Sequence, residues 1–203
     1  MLDHDEMVRL WGPWVPRTPS DVAELLDGFG PTWWVSGGWA IEAFTGVARS
    51  HSDVDPSICR SDVAPLYRHL VGRQDVWIAD SGTFRALLDA DDPVPQTCEN
   101  LWLRAGGAQP WEYDVILMDA TSESWTFKRD PRITLPLAAI LWIKDGIRFL
   151  RPEVQLLHKA HGLRPQDQFD FDVAAGLLDS QSSSWLRWAL SLAHPGHPWI
   201  LKL

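Results

Sequence analysis

Short β-type runs separated by turn-forming residues fill the first three quarters of the chain, and the apolar spacing then lengthens to a helical period. WWVS at 33–36 reads as a strand, DVDPSIC at 53–59 as a second, and DVWIAD (75–80), NLWLRA (100–105), EYDVILMD (112–119) and SWTFKR (124–129) as further strands. Ser20 ahead of DVAELLDGFG predicts an N-capped helix with Asp21 near its positive end. Gly37-Gly38 opens WAIEAFTG, a short helix stopping at Gly46, and Ser61 can cap a helix from Asp62 towards Gly72. DADDPVPQ, from Asp89 to Gln96, is rich in turn formers and predicts a loop. ILWIK and IRFL flank Asp145-Gly146, a dipeptide suited to a tight hairpin because both turn residues tolerate positive φ.

The period changes after Leu150. RPEVQLLHKAHG carries Pro152 in a first turn, Glu153 beside it and Gly162 at the exit, all marks of a helix. DQFDFDVAAGLL and SSSWLRWALSLAH continue as helices, the last with Trp185, Leu186, Ala189 and Leu192 along one side. This order predicts an α/β fold, with a mixed-sheet domain over 1–150 and a small C-terminal helical segment over 151–203.

Composition narrows the classes. A chain of 203 residues with 45% apolar and 22% charged content can bury a real core, and its thirteen tryptophans predict core and groove-wall positions. A net charge of -9 argues against extended nucleic-acid binding, which needs clustered Lys and Arg, and favours approach of a cationic small molecule. Cys59 and Cys98 have no zinc spacing and suggest reduced thiols in a cytoplasmic protein. The start, MLDHDEMVRLWG, is acidic where a signal peptide is basic, and no apolar run is long enough to span a bilayer.

The chemistry concentrates between Ser36 and Asp55. Residues two apart on a strand point the same way, so Asp53 and Asp55 present their carboxylates side by side. Like charges that close repel, and a divalent cation such as magnesium relieves the repulsion while keeping positions for water and phosphate oxygens. Gly37 and Gly38 supply a complementary half, because a backbone without Cβ atoms approaches a phosphate closely and helix-start amides carry positive partial charge. Taken alone, such a turn is also simply a turn, and such a pair of aspartates simply a solvated edge. Asp114, inside an otherwise apolar strand, is costly to bury unless paired or metal-bound and offers a third carboxylate, with Glu112 on the same face as its rival.

At these residues the chain resembles a known family. SGGWAIEAFTG followed by RSHSDVD is similar to the signature of the nucleotidyltransferase superfamily that includes DNA polymerase β-like enzymes, and more narrowly to its aminoglycoside 2''-adenylyltransferase-like branch. WTFKRDPRI, FLRPEVQLLHKAHGLRPQDQFDF, WLRWAL and PGHPW resemble the same branch in the same order, so the likeness runs from about Trp33 onwards. The resemblance implies a nucleotidyltransferase-type sheet, two magnesium ions, and transfer of a nucleoside monophosphate from ATP or another nucleoside triphosphate to a hydroxyl. It implies Asp53, Asp55 and Asp114 as metal ligands and catalytic residues, with Asp114 taking the acceptor's proton, and Ser36, Gly37, Gly38 and Lys159 as nucleotide-binding residues.

Arg49 and His51 flank the metal strand and either orient a carboxylate or phosphate or serve structure; Glu42 either meets substrate or caps local donors. Asp167 and Asp170 are expected to organise a helix junction. Two positions depart from the branch's pattern: Pro56 stands where an apolar residue follows the second aspartate, and Gln166 where a lysine precedes Asp167. Pro56 favours the extended conformation Asp55 needs, but it costs a ladder hydrogen bond if the amide at 56 faces a neighbouring strand. The acceptor expected first is a small polar molecule of the aminoglycoside type. The alternatives are an RNA or protein acceptor and, in another class, a nucleotide-binding homologue without turnover.

Overall fold

The protein is described from a computed structural model covering residues 4–80 and 82–203. Its elements in chain order are α1 (His4–Trp11), α2 (Pro19–Leu25), β1 (Trp33–Val35), α3 (Gly37–Thr45), β2 (Pro56–Cys59), α4 (Val63–Leu70), β3 (Asp75–Asp80), β4 (Thr83–Ala86) and β5 (Asn100–Arg104). There follow β6 (Tyr113–Met118), β7 (Ser124–Thr126), β8 (Thr134–Pro136), β9 (Leu141–Lys144), β10 (Ile147–Leu150), α5 (Pro152–Lys159), α6 (Pro165–Ala174) and α7 (Ser180–Ala193). They form two compact units: the first holds the chain up to Trp33 together with Ser50–Met118, the second Trp34–Arg49 with Asp119–Leu203. The helices expected as a separate segment over 151–203 therefore share their unit with α3 and with residues 119–150.

In the first unit the strands run β4-β3-β5-β6-β2, with β2 parallel to β6 and the other pairs antiparallel. Pairing of Leu101 with Val115 and of Ile58 with Leu117 puts these apolar side chains on one face, where all four are buried. The opposite face carries Asn100, Trp102, Asp114 and Ser57. Trp77 pairs with Trp102 there, and the Trp102 ring meets Trp14 at 4.8 Å, Phe84 at 4.6 Å and Trp111 at 5.3 Å. The abundant tryptophans thus build a second apolar layer on the same face as Asp114.

α2 starts earlier than expected. Thr18 rather than Ser20 is its cap, because Pro19 occupies the first turn and Asp21 closes a reciprocal capping box with Thr18. Ser61 lies in a 3-10 turn, Arg60–Asp62, and Asp62 immediately precedes α4. The elements α1, β4 and β8 have no counterpart among the sequence expectations, and the strand read at 124–129 ends at Thr126.

In the second unit β1 lies parallel to β10, and β10 forms the expected hairpin with β9 through Asp145 (φ 50) and Gly146 (φ 78). Trp34, Trp125, Phe127, Phe171 and Trp199 are among its fully buried side chains, Trp199 stacking on Phe171 at 4.3 Å. α7 buries Leu186, Ala189 and Leu190 and exposes Trp188. Among the described residues no helix is long and apolar enough to cross a membrane.

Candidate active site

The three aspartates of interest all belong to the first unit. β2 itself begins at Pro56, but its pairing with β6 extends upstream, since the Asp114 amide donates to the Val54 carbonyl at 3.3 Å. Ser57 pairs with Ile116, so alternation along both strands puts Asp53, Asp55, Ser57 and Asp114 on one face while Val54, fully buried, points to the other. Asp114 is pushed well above the usual carboxylate range, to about 7: burial is the main cause, and the charge of Asp53 adds to it. Carboxylates gathered on one face fit a hard divalent cation in kind, and Asp55 shares that face with Asp53 and Asp114. Among the described residues, however, no group of three or more His, Cys, Asp or Glu is gathered closely enough to hold an ion.

One residue of this face was not foreseen. The Asn100 side-chain amide donates to Asp114 Oδ1 at 2.7 Å from the neighbouring strand β5. That hydrogen bond, and the indole of Trp102 directly across from Asp114, favour the ionised carboxylate against the effect of burial. Glu112, the rival of Asp114, is otherwise engaged: it is buried, and the Arg17 guanidinium binds its Oε2 at 2.6 Å and 3.1 Å.

Pro56 stands in a ladder position. The Asp114 amide bonds to Val54, and a parallel strand turns the amide and carbonyl of alternate residues to the same neighbour, so residue 56 faces β6. A donor at 56 would point at the carbonyl of Asp114 itself, and proline has none. The proline thus removes one backbone bond beside the carboxylate it helps to align.

The glycine turn and Lys159 lie in the second unit. Gly37 takes φ +71, a left-handed value that side chains rarely allow, which explains glycine at the start of α3. Ser36 is buried and precedes it in extended conformation. The Gly37 amide donates to Gln155 Oε1 at 2.8 Å, and Gly38 is buried in the first turn. Lys159 is buried as well; its ammonium meets Asp170 Oδ2 at 2.8 Å and Asp167 Oδ1 at 3.1 Å. Arg49 grips Asp170 through Nε at 3.0 Å and Nη2 at 3.2 Å, and Arg164 binds Asp167 through Nε at 2.9 Å. Although burial alone would raise the Asp167 carboxyl, the bonds from Arg164 and Lys159 hold it below the usual range. Glu42 accepts a hydrogen bond from the Arg49 amide at 3.1 Å.

No family model matches the chain, and no curated protein matches it in sequence. Solved structures do match in fold. The lincosamide antibiotic adenylyltransferase LnuA, solved with lincomycin bound, is similar over 78% of this chain and 95% of its own, at 17% identity and a TM-score of 0.52. ANT(2'')-Ia, in complex with adenylyl-2''-tobramycin, is similar over 84% of this chain and 92% of its own, at 16% identity and a TM-score of 0.54. A solution structure of ANT(2'')-Ia gives a TM-score of 0.50 at 16% identity, over 84% of this chain and 88% of its own.

Proposed function

On its nucleotidyltransferase fold and its shared carboxylate face, we propose that this chain is a magnesium-dependent nucleotidyltransferase that moves a nucleoside monophosphate, AMP from ATP first, to a hydroxyl of a small polar acceptor. The observation that carries the reading is that strand pairing puts Asp53, Asp55 and Asp114 on one face of β2 and β6.

Asp53, Asp55 and Asp114 are the residues that would hold magnesium. Bound there, the metal would supply positive charge against the paired carboxylates and the triphosphate. Asp114 acts as general base: its raised affinity for a proton suits it to accept one from the acceptor hydroxyl near neutral pH. The hydroxyl oxygen forms a bond to the α-phosphorus, the bond from that phosphorus to the bridging oxygen breaks, and pyrophosphate leaves with the electron pair. Ser36, Gly37 and Gly38 form the turn assigned to the triphosphate, with Gln155 fixing the Gly37 amide. Lys159 serves that turn's unit through Asp167 and Asp170, which hold its ammonium.

The acceptor proposed first is an aminoglycoside-type antibiotic, because ANT(2'')-Ia is similar in fold and the chain's charge of -9 favours cations. A second reading, a nucleotide-binding homologue without turnover, is favoured by Pro56 at its ladder position and by the engaged Gly37 amide. The test is the purified protein with magnesium, each of the four nucleoside triphosphates, and panels of aminoglycosides and lincosamides. Pyrophosphate release together with a nucleotidyl mass gain on an acceptor supports transfer; nucleotide binding without either supports the second reading.

A further inference from the structure

We propose that Asn100 is a positioning residue that fixes the Asp114 carboxylate for transfer, an inference that rests on Asp114 being the acceptor-side carboxylate. The terminal torsion of an aspartate is broad, so strand geometry alone fixes the Cβ of Asp114 but not the plane of its oxygens. The Asn100 amide closes that freedom with a 2.7 Å bond to Oδ1. Asn100 can do this because β5 is an inner strand: it pairs with Ala79 of β3 on one side and with Ile116 of β6 on the other. A group on a strand held from both sides is placed more firmly than one on a loop. The cross-strand neighbour Trp102, packed among Trp14, Phe84 and Trp111, closes the same side of the carboxylate.

The residue type fits the task. Lysine or arginine here would bring a net positive charge onto Asp114, and a carboxylate would bring a further negative one. An amide donates one directed bond without net charge and engages one oxygen only.

The experiment is a double-mutant cycle on pyrophosphate release from ATP and magnesium, with tobramycin as acceptor and with water alone, for the parent, Asn100→Leu, Asp114→Asn and the pair. Asn100→Ala is carried alongside, and melting temperatures establish that each variant is folded. The expected result is that Asn100→Leu lowers kcat about 10- to 100-fold with KM for ATP within about twofold, since misplacing a reacting group acts on the transition state and not on ground-state binding. In the Asp114→Asn background the same change should cost nothing further. An Asn100→Leu protein at the parent rate while Asp114→Asn is inactive overturns the positioning role and leaves the reading of Asp114 standing. Equal losses in kcat and ATP affinity overturn it too, by showing a general loss of structure. A parent that releases no pyrophosphate with either acceptor, or an Asp114→Asn protein at the parent rate, removes the reading and the inference together.

Discussion

Asp167 and Asp170 in the second unit are almost entirely buried, and both are met by cations: Arg164 and Lys159 on the one, Arg49 and Lys159 on the other. Asp53 and Asp114 in the first unit share one strand face, and the 2.7 Å hydrogen bond to Asp114 comes from a neutral amide. The first pair is electrostatically matched, with the Asp167 carboxyl held down; in the second, the Asp114 carboxyl is driven up. A matched buried pair belongs to the architecture, since removing one partner strands a charge. Carboxylates gathered on one strand face without a matching cation on Asp114 are suited to receive positive charge or a proton.

The comparison is broken most severely by removing charge from the opposed set. Asp53→Asn and Asp55→Asn are each expected to abolish nucleotidyl transfer at saturating magnesium while leaving the protein folded, because the shared face loses a charge that would meet the metal. Pyrophosphate assays paired with thermal melts check both parts. Turnover at the parent rate in either variant would dissolve the distinction.

The matched set should answer in the other currency. Asp170→Asn leaves Lys159 and Arg49 short of a carboxylate inside the second unit, and a loss of about 3 to 5 kcal/mol in stability is expected. Urea titration of parent and variant measures it; a loss below about 1 kcal/mol would mean that the network is ornamental.

Sequence patterning reached the opposed pair because its signal is local. Alternating aspartates and a charged residue within EYDVIL can be recognised from their neighbours alone, and so can Asp145-Gly146, whose positive φ values recur in the hairpin. Asn100 could not be reached that way, since its importance lies in a register between β5 and β6 that no short window contains. Lys159 shows the same blindness in reverse. A lysine on a helix is usually solvated, yet the fold brings Asp167 and Asp170 from α6 onto its ammonium and buries it. Gln155, which holds the Gly37 amide, reads in the chain as an ordinary polar position on a helix. The division near residue 150 came from a change of period, whereas the compact units follow pairing, which brings β1 and β10 together from distant parts of the chain.

A smaller effect sharpens the contrast through pH. His158 packs against Trp125 and Phe127, its Nε2 has no hydrogen-bond partner, and burial pushes its pKa down to about 3. The folded state therefore takes up this proton less readily than the unfolded chain, so stability present above pH 6.5 is lost as pH falls towards 3. Asp114 has the opposite sign. Its folded pKa is raised from 3.8 to about 7, so the folded state holds the proton more tightly and stability falls as pH rises between those values. His158→Phe is expected to flatten the acid side of a plot of melting temperature against pH and leave the neutral side unchanged. An unchanged acid limb would show that His158 is solvated or paired.

In the proposed reaction Asp114 does chemistry and does not merely bind nucleotide. The direct measurement is made on Asp114→Asn beside the parent: single-turnover pyrophosphate release with magnesium and ATP, and calorimetric titration with a non-hydrolysable ATP analogue on the same preparations. The expected result is a fall in rate of about 10²- to 10⁴-fold, the range for losing a general base, with analogue affinity within about threefold of the parent. An Asp114→Asn protein that keeps its rate, or that loses rate only in proportion to nucleotide affinity, would contradict it.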